Sequence, residues 1–371
     1  MGMHEMMWLN DIHVGDTRVL MRRMIADGVK VQCIVTSPPY WGLRDYGVAG
    51  QMGSERTWIR HVARMRSVFR LCWELLADDG VLWLNYGDSY AAHPGQRKTT
   101  DAAGPKQVSN RGAPGAPSRH AVDIPAKNLI GMPWRVAFAL QADGWYLRQD
   151  IIWSKPNPMP ESIRDRCTKA HEYLFLFSKR ERYYWDFEAM QEDVSGTANA
   201  RRAKTPDGWD TSAGSHGSFH KAGREKGHVP GNKTHKGTEA YEAGDEAHRT
   251  KGGLVNYSRK LAAAGSGTKN NDSMDAAICN LVDKRNRRSV WSIASEPFRE
   301  AHFATFPTEL IKPCILAGSR AGDVVFDPFM GSGTTAQVAM DLGRQFIGTE
   351  LNPAYAAMFR TARSQQMGMA L

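Results

Sequence analysis

The chain contains little cysteine, and its cysteines are far apart. The 371 residues include five of them, namely Cys33, Cys72, Cys167, Cys279 and Cys314, and none stands in a Cys-x-x-Cys pair. This spacing argues against a disulfide framework and against a cysteine-based zinc site. Cys33 and Cys314 lie in apolar runs, so we expect both to be buried, reduced thiols.

The sequence also lacks a long apolar run and a leader-like start. No run approaches the roughly 18 apolar residues that a membrane-spanning helix needs. Residues 1–10 lack the basic segment followed by a long apolar one that marks a secretory signal. These absences predict a cytoplasmic protein with no membrane partner.

Acidic residues are fewer than basic ones. The chain has 39 Asp and Glu against 48 Lys and Arg, which gives a formal net charge of +9. A positive protein suits a polyanionic partner such as nucleic acid. Charge alone does not identify such a partner, because it must be gathered on one surface to bind DNA.

Strand-like apolar runs alternate with helix-like segments along much of the chain. The predicted elements are strand–helix–strand at 11–35, a helix at 58–76, a strand at 81–84, a helix at 128–141, strands at 145–153 and 172–177, an aromatic extension at 183–187, a strand at 324–326, a helix at 334–342 and a strand at 345–349. This alternation predicts an α/β fold with a doubly wound, mostly parallel sheet. Ligands of such sheets bind outside the carboxyl ends of the strands.

Two polar stretches interrupt the alternating pattern. Residues 91–120 are rich in Gly, Pro, Ser and basic side chains and are predicted to form a mobile loop. Residues 191–285 are polar and Gly-rich, and we interpret them as an insertion between two parts of one domain, 1–190 and 286–371. Its histidines at 216, 220, 228 and 235 are too loosely spaced to predict a metal site.

A glycine-rich turn follows the strand at 324–326. Gly331 and Gly333 remove side chains where a ligand lies against the backbone, and the helix that follows offers free N–H groups. Glu350 lies about 20 residues further on, the distance expected for a carboxylate that binds ribose hydroxyls. No Gly-x-x-x-x-Gly-Lys and no basic residue accompany the turn, so a nucleotide-like cofactor without phosphates fits best.

The segment Ser37-Pro38-Pro39-Tyr40 follows another buried strand and suits a reaction at an exocyclic amino group. Such a nitrogen is a poor nucleophile because its lone pair is delocalised into the ring. The Ser37 hydroxyl and the Pro38 carbonyl can accept its two protons and aim its lone pair at an electrophile. The prolines pre-organise the loop, and Tyr40 can stack on a base extruded from a duplex.

Together these segments resemble the amino-group DNA methyltransferases that use S-adenosyl-L-methionine, in the class whose catalytic segment precedes the cofactor segment (the beta order). The matching stretches are 36–41, 151–157, 165–172, 302–307 and 326–335. The resemblance implies a circularly permuted Rossmann-like fold, double-stranded DNA as substrate, and 191–285 with 91–120 as the target-recognition region. It also implies base flipping and direct in-line methyl transfer without a covalent enzyme intermediate.

The resemblance further implies roles for individual residues. Ser37, Pro38, Pro39 and Tyr40 would hold the target base. The cofactor would contact Asp16 on its adenine side, Glu350 at its ribose, and Thr36, Phe306, Asp327, Pro328, Phe329, Gly331, Ser332, Gly333 and Thr334 elsewhere. DNA contacts are expected from Trp41, Arg44, Lys155, Arg166, Arg201, Arg202 and Lys204. The charges of Asp165, Arg166, His171 and Glu172 would lie near the base, either as an acid–base cluster or as a structural ion-pair network.

The identity of the base remains open between two candidates. Family members acting on cytosine N4 often carry serine at the position of Ser37, whereas adenine N6 enzymes more often carry Asp or Asn. Ser37 and Trp41 therefore favour cytosine N4. A non-catalytic DNA-binding module that retains the fold is an alternative from another class, and methylation of RNA or of a protein glutamine amide is a third. The resemblance also allows a cognate restriction endonuclease as partner and either a monomer or a homodimer.

Overall fold

The computed structural model describes residues 6–43, 46–91, 123–193, 284–295 and 306–369. The strands within them are β1 (Asp11–Val14), β2 (Val31–Thr36), β3 (Leu76–Tyr86), β4 (Tyr146–Ser154), β5 (His171–Ser178), β6 (Gln191–Asp193), β7 (Lys284–Asn286), β8 (Val290–Ser292), β9 (Val324–Asp327) and β10 (Gln345–Glu350). The helices are α1 (Thr17–Ala26), α2 (Trp58–Leu75), α3 (Met132–Ala142), α4 (Thr308–Gly318), α5 (Thr334–Asp341) and α6 (Pro353–Met369). None of these helices is long and apolar enough to cross a membrane.

Eight strands form one mostly parallel sheet in the order β1-β10-β9-β2-β3-β5-β4-β8. Within it, β5 alone runs against its neighbours β3 and β4, and the other pairings are parallel. Helices connect most of the successive parallel strands and return the chain to the same end of the sheet. The predicted doubly wound α/β fold is therefore confirmed.

The sheet is covered on both faces, which explains why its central strands read as continuous apolar runs. Along β2, Ile34 faces a core built with α1, α2 and α3, while Cys33 and Val35 face a second core built with α4, α5 and α6. This alternation follows from the two-residue period of a strand. Cys33 and Cys314 are both fully buried in the second core, as predicted.

The strand β3 starts earlier than the sequence indicates. Residues 77–80 are predicted to lie between the helix at 58–76 and the strand at 81–84, but they belong to β3, which already begins at Leu76. The pairing with β2 shifts register here, because Val31 pairs with Leu76 and Cys33 with Val81. The irregular ladder accommodates the additional residues as a bulge does.

The helix α3 starts later than predicted, at Met132 instead of residue 128. Gly131 adopts a left-handed φ of 75°, which turns the chain before the helix. The Asp88 carboxylate accepts hydrogen bonds from the backbone N–H groups of Gly131 and Met132, at 3.0 Å each, and so caps the helix start from a distant loop. Residues 183–187, predicted to extend an aromatic strand run, form no strand.

The chain divides into two compact units, one of Met1–Gln191 with Asn286–Leu371 and one of Glu192–Arg285. The short strands β6 and β7, at the two ends of the second unit, pair with each other. Within that unit, Arg285 Nε donates to Glu192 Oε1 at 2.8 Å. The predicted loop at 91–120 lies almost entirely outside the described residues, as do the four histidines of the insertion.

Candidate active site

The two motifs singled out in the sequence meet at one edge of the sheet. β2 and β9 are neighbours, with Ile34 paired to Phe326, so their carboxyl ends lie side by side. From the end of β2, the Thr36 hydroxyl donates to Asp327 Oδ1 at 2.6 Å, across 291 residues of sequence. A cleft of about 610 Å³ opens there, and both Ser37 and Gly331 line it.

Asp327 holds the two motifs together. It is 1% exposed, and its Oδ1 accepts from the Thr36 hydroxyl and from the Phe329 N–H, at 2.6 and 2.9 Å. Its Oδ2 accepts from the Thr335 hydroxyl at 2.7 Å, and burial raises the pKa of the carboxyl to about 6. Although Asp327 borders the predicted cofactor site, its oxygens are engaged inside the protein, so it orders the loop there.

The two glycines of the turn serve different purposes. Gly331 has a left-handed φ of 58°, and a Cβ added to it would meet no protein atom within 4 Å. Gly333 has a φ of 94°, and a Cβ there would lie 2.3 Å from the Phe359 ring. Gly331 therefore leaves room in the cleft, whereas Gly333 does not line the cleft and allows α6 to pack closely.

A carboxylate and an unpaired hydroxyl stand at this end of the cleft. Glu350 Oε2 accepts from the Gly331 N–H and its Oε1 from the Asn352 N–H, both at 2.8 Å, and burial raises the pKa of this carboxyl. Ser332 Oγ is buried with no hydrogen-bond partner in the described part of the chain. Among the described residues lining the cleft, Lys155 is the only Lys or Arg. This donor set fits a nucleoside-like cofactor with free hydroxyls better than a phosphorylated one.

The remaining predicted cofactor residues lie around the same opening. The lining includes Asp16, Phe306, Pro328, Phe329 and Thr334, whereas Thr36 is fully buried behind it. Asp16 caps α1 by accepting from the Arg18 N–H at 2.9 Å and also binds the Arg18 guanidinium, which lowers the pKa of the carboxyl. The Pro328 carbonyl accepts from the Thr349 hydroxyl at 2.8 Å and so fixes the loop to β10.

At the other end of the cleft, the predicted base-holding segment is tied to β3 and β5. The Tyr40 hydroxyl lies 3.1 Å from Ser37 Oγ, 3.0 Å from Asn85 Oδ1 and 2.9 Å from Glu172 Oε2. The Tyr40 ring stacks on Tyr86, with centroids 4.7 Å apart. One face of the ring that was expected to stack on a base is therefore covered by protein.

Asn85 and Glu172 complete the base end of the site. Asn85 is absent from the sequence prediction, although a polar residue near the carboxyl end of the buried strand β3 is a signal that could have found it. Glu172 was left open between two interpretations. It pairs with Lys155, whose ammonium also lies 4.1 Å from the centroid of the Trp153 ring.

Comparison with known proteins agrees with this geometry. The model of the N6/N4 DNA methylase family matches residues 31–361. The Type II methyltransferase M.Cfr9I of Citrobacter freundii is 37% identical over 92% of this chain and 83% of its own length. The Type II methyltransferase M.SmaI of Serratia marcescens is 37% identical over 94% of this chain and 88% of its own. The chain belongs to the N6/N4 DNA methylase family.

The protein is thus a DNA methyltransferase, and its cofactor is S-adenosyl-L-methionine. Among solved structures, the PvuII DNA methyltransferase (cytosine-N4-specific) superposes with a TM-score of 0.51 at 16% identity, covering 94% of this chain and 84% of that one. At this identity the likeness establishes the fold alone. The match to the family model and the similarity to the two relatives confirm the resemblance inferred from the motifs.

The residues predicted to contact DNA differ in their location and exposure. Trp41 is 1% exposed, and its indole N–H donates to the Glu55 carbonyl at 2.8 Å, so it is a core residue and offers DNA no surface. Lys155 lies inside the cleft. Arg166 is partly exposed, donates to Glu161 at 2.8 Å and stacks over the Tyr90 ring. The other four, Arg44, Arg201, Arg202 and Lys204, lie outside the described residues.

A buried series of hydrogen-bonded side chains holds the stacked pair of Tyr40 and Tyr86 in the methyltransferase. The Tyr86 hydroxyl lies 2.6 Å from His61 Nε2, and His61 Nδ1 lies 2.7 Å from Glu55 Oε2. Arg64 also donates to Glu55, at 3.0 Å. An unpaired buried polar group would destabilise the fold, so these hydrogen bonds fix the position of Tyr86. They thereby also fix the ring of Tyr40 that stacks on it.

Proposed function

We propose that this methyltransferase transfers a methyl group from S-adenosyl-L-methionine to the exocyclic N4 nitrogen of cytosine in double-stranded DNA. The observation that carries the proposal is the single cleft lined by both Ser37 and Gly331. Two substrates react quickly when they are held in the reacting geometry, which supplies much of the catalysis. The hydrogen bond between Thr36 and Asp327 fixes the two binding segments relative to each other.

In this proposal, the loop after β9 and the end of β10 hold the cofactor. Glu350 would accept hydrogen bonds from the ribose hydroxyls, and the unpaired Ser332 hydroxyl would meet a polar group of the cofactor. Phe306 and Phe329 would supply apolar surface beside the methionine part, and Asp16 would face the adenine side. When bound, the cofactor supplies an activated methyl group on a positively charged sulfur.

The segment after β2 would hold the target base, which must leave the duplex to reach the cleft. Ser37 Oγ and the Pro38 carbonyl would accept the two amino protons, drawing the nitrogen toward a tetrahedral form whose lone pair can attack. Pro38 and Pro39 keep this loop in one conformation and present no competing N–H. After transfer, the surplus amino proton would leave to solvent.

The choice of cytosine over adenine rests on Ser37. A serine stands where adenine N6 enzymes of the resembled class more often carry a carboxylate or an amide. Adenine N6 is the second candidate, because a hydroxyl and a carbonyl can accept protons from the amino group of either base.

Nucleoside analysis separates these possibilities. The purified protein is incubated with methyl-labelled S-adenosyl-L-methionine and unmethylated genomic DNA, and the digested nucleosides are resolved by mass spectrometry. We expect label in N4-methylcytosine. Label in N6-methyladenine would replace the base assignment and keep the reaction type, while the absence of label from every nucleoside would contradict the proposal.

We also propose that the unit Glu192–Arg285, with residues 91–120, recognises the target sequence. The pairing of β6 with β7, at the start and the end of that unit, supports this proposal. Deleting 195–283 should therefore preserve binding of S-adenosyl-L-methionine and abolish site selectivity. Methylation mapped by modification-sensitive sequencing tests this, and retained selectivity would contradict it.

The naming of the relatives as Type II methyltransferases favours a cognate restriction endonuclease as partner.

A further inference from the structure

The hydroxyl of Tyr40 sits among three polar groups at the base end of the cleft. Ser37 Oγ, Asn85 Oδ1 and Glu172 Oε2 all lie within 3.1 Å of it, and all four residues line the cleft. A phenol has one proton to donate and an oxygen that accepts. The identity of its acceptor therefore decides which way the neighbouring hydroxyl of Ser37 must point.

Only one of these three neighbours can give a proton to Tyr40. The carboxylate of Glu172 and the amide oxygen of Asn85 offer lone pairs alone. The Asn85 amide nitrogen is occupied elsewhere, because it donates to Glu172 Oε2 at 3.2 Å and to the Tyr173 carbonyl at 3.1 Å. Tyr40 consequently donates toward Glu172 and Asn85, and Ser37 donates to Tyr40.

We propose that Glu172 is a positioning residue that acts through Tyr40 to make Ser37 an acceptor toward the target amino group. With its proton directed at Tyr40, Ser37 turns its lone pairs to the cleft. This inference rests on the proposed function, since an amino group is the substrate that such an acceptor would bind. Without the negative charge of Glu172, Tyr40 could donate to Ser37, whose own proton would then point at the amino protons.

The surroundings hold Glu172 in this role. Lys155 balances the charge of the carboxylate at Oε1, and the Lys155 ammonium is itself held over the Trp153 ring at 4.1 Å. Asn85 donates to the same Oε2 that faces Tyr40, which orients the carboxylate. Burial raises the pKa of the Tyr40 phenol well above its ordinary value, so Tyr40 keeps the proton that it donates.

A double-mutant cycle tests this coupling. Glu172→Gln keeps the size of the side chain, removes its charge and adds an N–H donor, while Tyr40→Phe keeps the ring on Tyr86 and removes the hydroxyl. We expect Glu172→Gln to lower kcat by about 10- to 100-fold, by analogy with the loss of a group that orients a metal ligand. The Kd for S-adenosyl-L-methionine and the KM for DNA should stay within about 2-fold, because neither ligand contacts Glu172 in this proposal.

In the Tyr40→Phe background, Glu172→Gln should change kcat by less than about 3-fold, because residues that act through one another are not additive. Glu172→Asp, which keeps the charge, should recover part of the loss. Asp78→Asn is the matched control: it converts a carboxylate paired with Arg180 at 2.9 Å, away from the cleft, and should leave kcat unchanged.

The outcomes separate the two proposals. Equal losses of kcat in the wild-type and Tyr40→Phe backgrounds, or an unchanged kcat in Glu172→Gln, would overturn the role of Glu172 while wild-type methyl transfer to DNA still stands. A wild-type protein that transfers no methyl group to any DNA nucleoside would overturn the proposed function together with this inference.

Discussion

At the scale of single residues, the glycine-rich turn shows how one motif can serve two needs. Both glycines carry a left-handed φ, but the space around them differs: open at Gly331 and filled by Phe359 at Gly333. A motif match treats the two as equivalent cofactor residues. The structure instead separates a residue that shapes the cleft from one that permits close packing of a helix.

Alanine at each glycine should therefore produce different defects. Gly331→Ala should cost about 1 kcal/mol of stability, from the left-handed conformation alone, and should weaken cofactor binding because its methyl group enters the cleft. Gly333→Ala should lower Tm further, since the added carbon collides with Phe359. Thermal unfolding and calorimetric titration with S-adenosyl-L-methionine measure both effects. Phe359→Leu should restore part of the Tm of Gly333→Ala and none of the binding lost in Gly331→Ala.

The carboxyl of Glu350 predicts a pH dependence of cofactor binding. Burial raises its pKa, so in the folded protein it takes up a proton at a higher pH than a free glutamate does. Its ionised form accepts hydrogen bonds from ribose hydroxyls, and protonation removes part of that capacity. The Kd for S-adenosyl-L-methionine should therefore rise as the pH falls through this raised pKa. Glu350→Gln should bind weakly with a flatter pH profile, and an unchanged slope would contradict the assignment.

At the scale of elements, the neighbouring ends of β2 and β9 create the site. Parallel strands end at the same edge of a sheet, so two segments that are 291 residues apart in sequence lie side by side. The buried carboxylate of Asp327 then joins the two loops through Thr36 and Thr335. The geometry of both loops depends on this joint.

Thr36→Val tests the hydrogen bond between Thr36 and Asp327, because it keeps the shape of the side chain and removes the donor to Asp327. The substitution leaves a buried carboxylate short of one hydrogen bond, which should lower the free energy of unfolding by about 1–3 kcal/mol. Because both loops are tied here, cofactor affinity and kcat should fall together. Denaturant unfolding and single-turnover kinetics measure these quantities, and a variant that loses stability but keeps both functions would show that the joint is only structural.

At the scale of the whole molecule, the sequence predicts the parts that local pattern controls. The alternation of strands and helices, the apolar β2 and β9 and the turn after β9 follow from periodicity, glycine spacing and the residues flanking them. The contacts of Glu172 with Tyr40 and Lys155 could not be predicted, because they depend on β5 lying antiparallel between β3 and β4. The start of α3 was missed for the same reason, since its cap comes from Asp88 in a distant loop.

The DNA contact predicted for Trp41 relied on its position within a motif and not on the chemistry of its side chain. Its place beside the base-holding segment suggested a DNA contact, yet a large aromatic residue following a buried strand can equally turn inward. The indole N–H donates to the Glu55 carbonyl, and the ring packs in the core beside α2. Trp41→Phe should therefore lower Tm more than it weakens DNA binding, as measured by thermal unfolding and fluorescence anisotropy.

The most direct measurement of the central claim is single-turnover methyl transfer by Ser37→Ala, with Ser67→Ala as control. Ser67 is an exposed serine on α2 away from the cleft and should leave the rate unchanged. Ser37→Ala loses one acceptor of the amino group, so its transfer rate should fall about 100-fold or more while the Kd for S-adenosyl-L-methionine stays near the wild-type value. A wild-type transfer rate in Ser37→Ala would contradict the account.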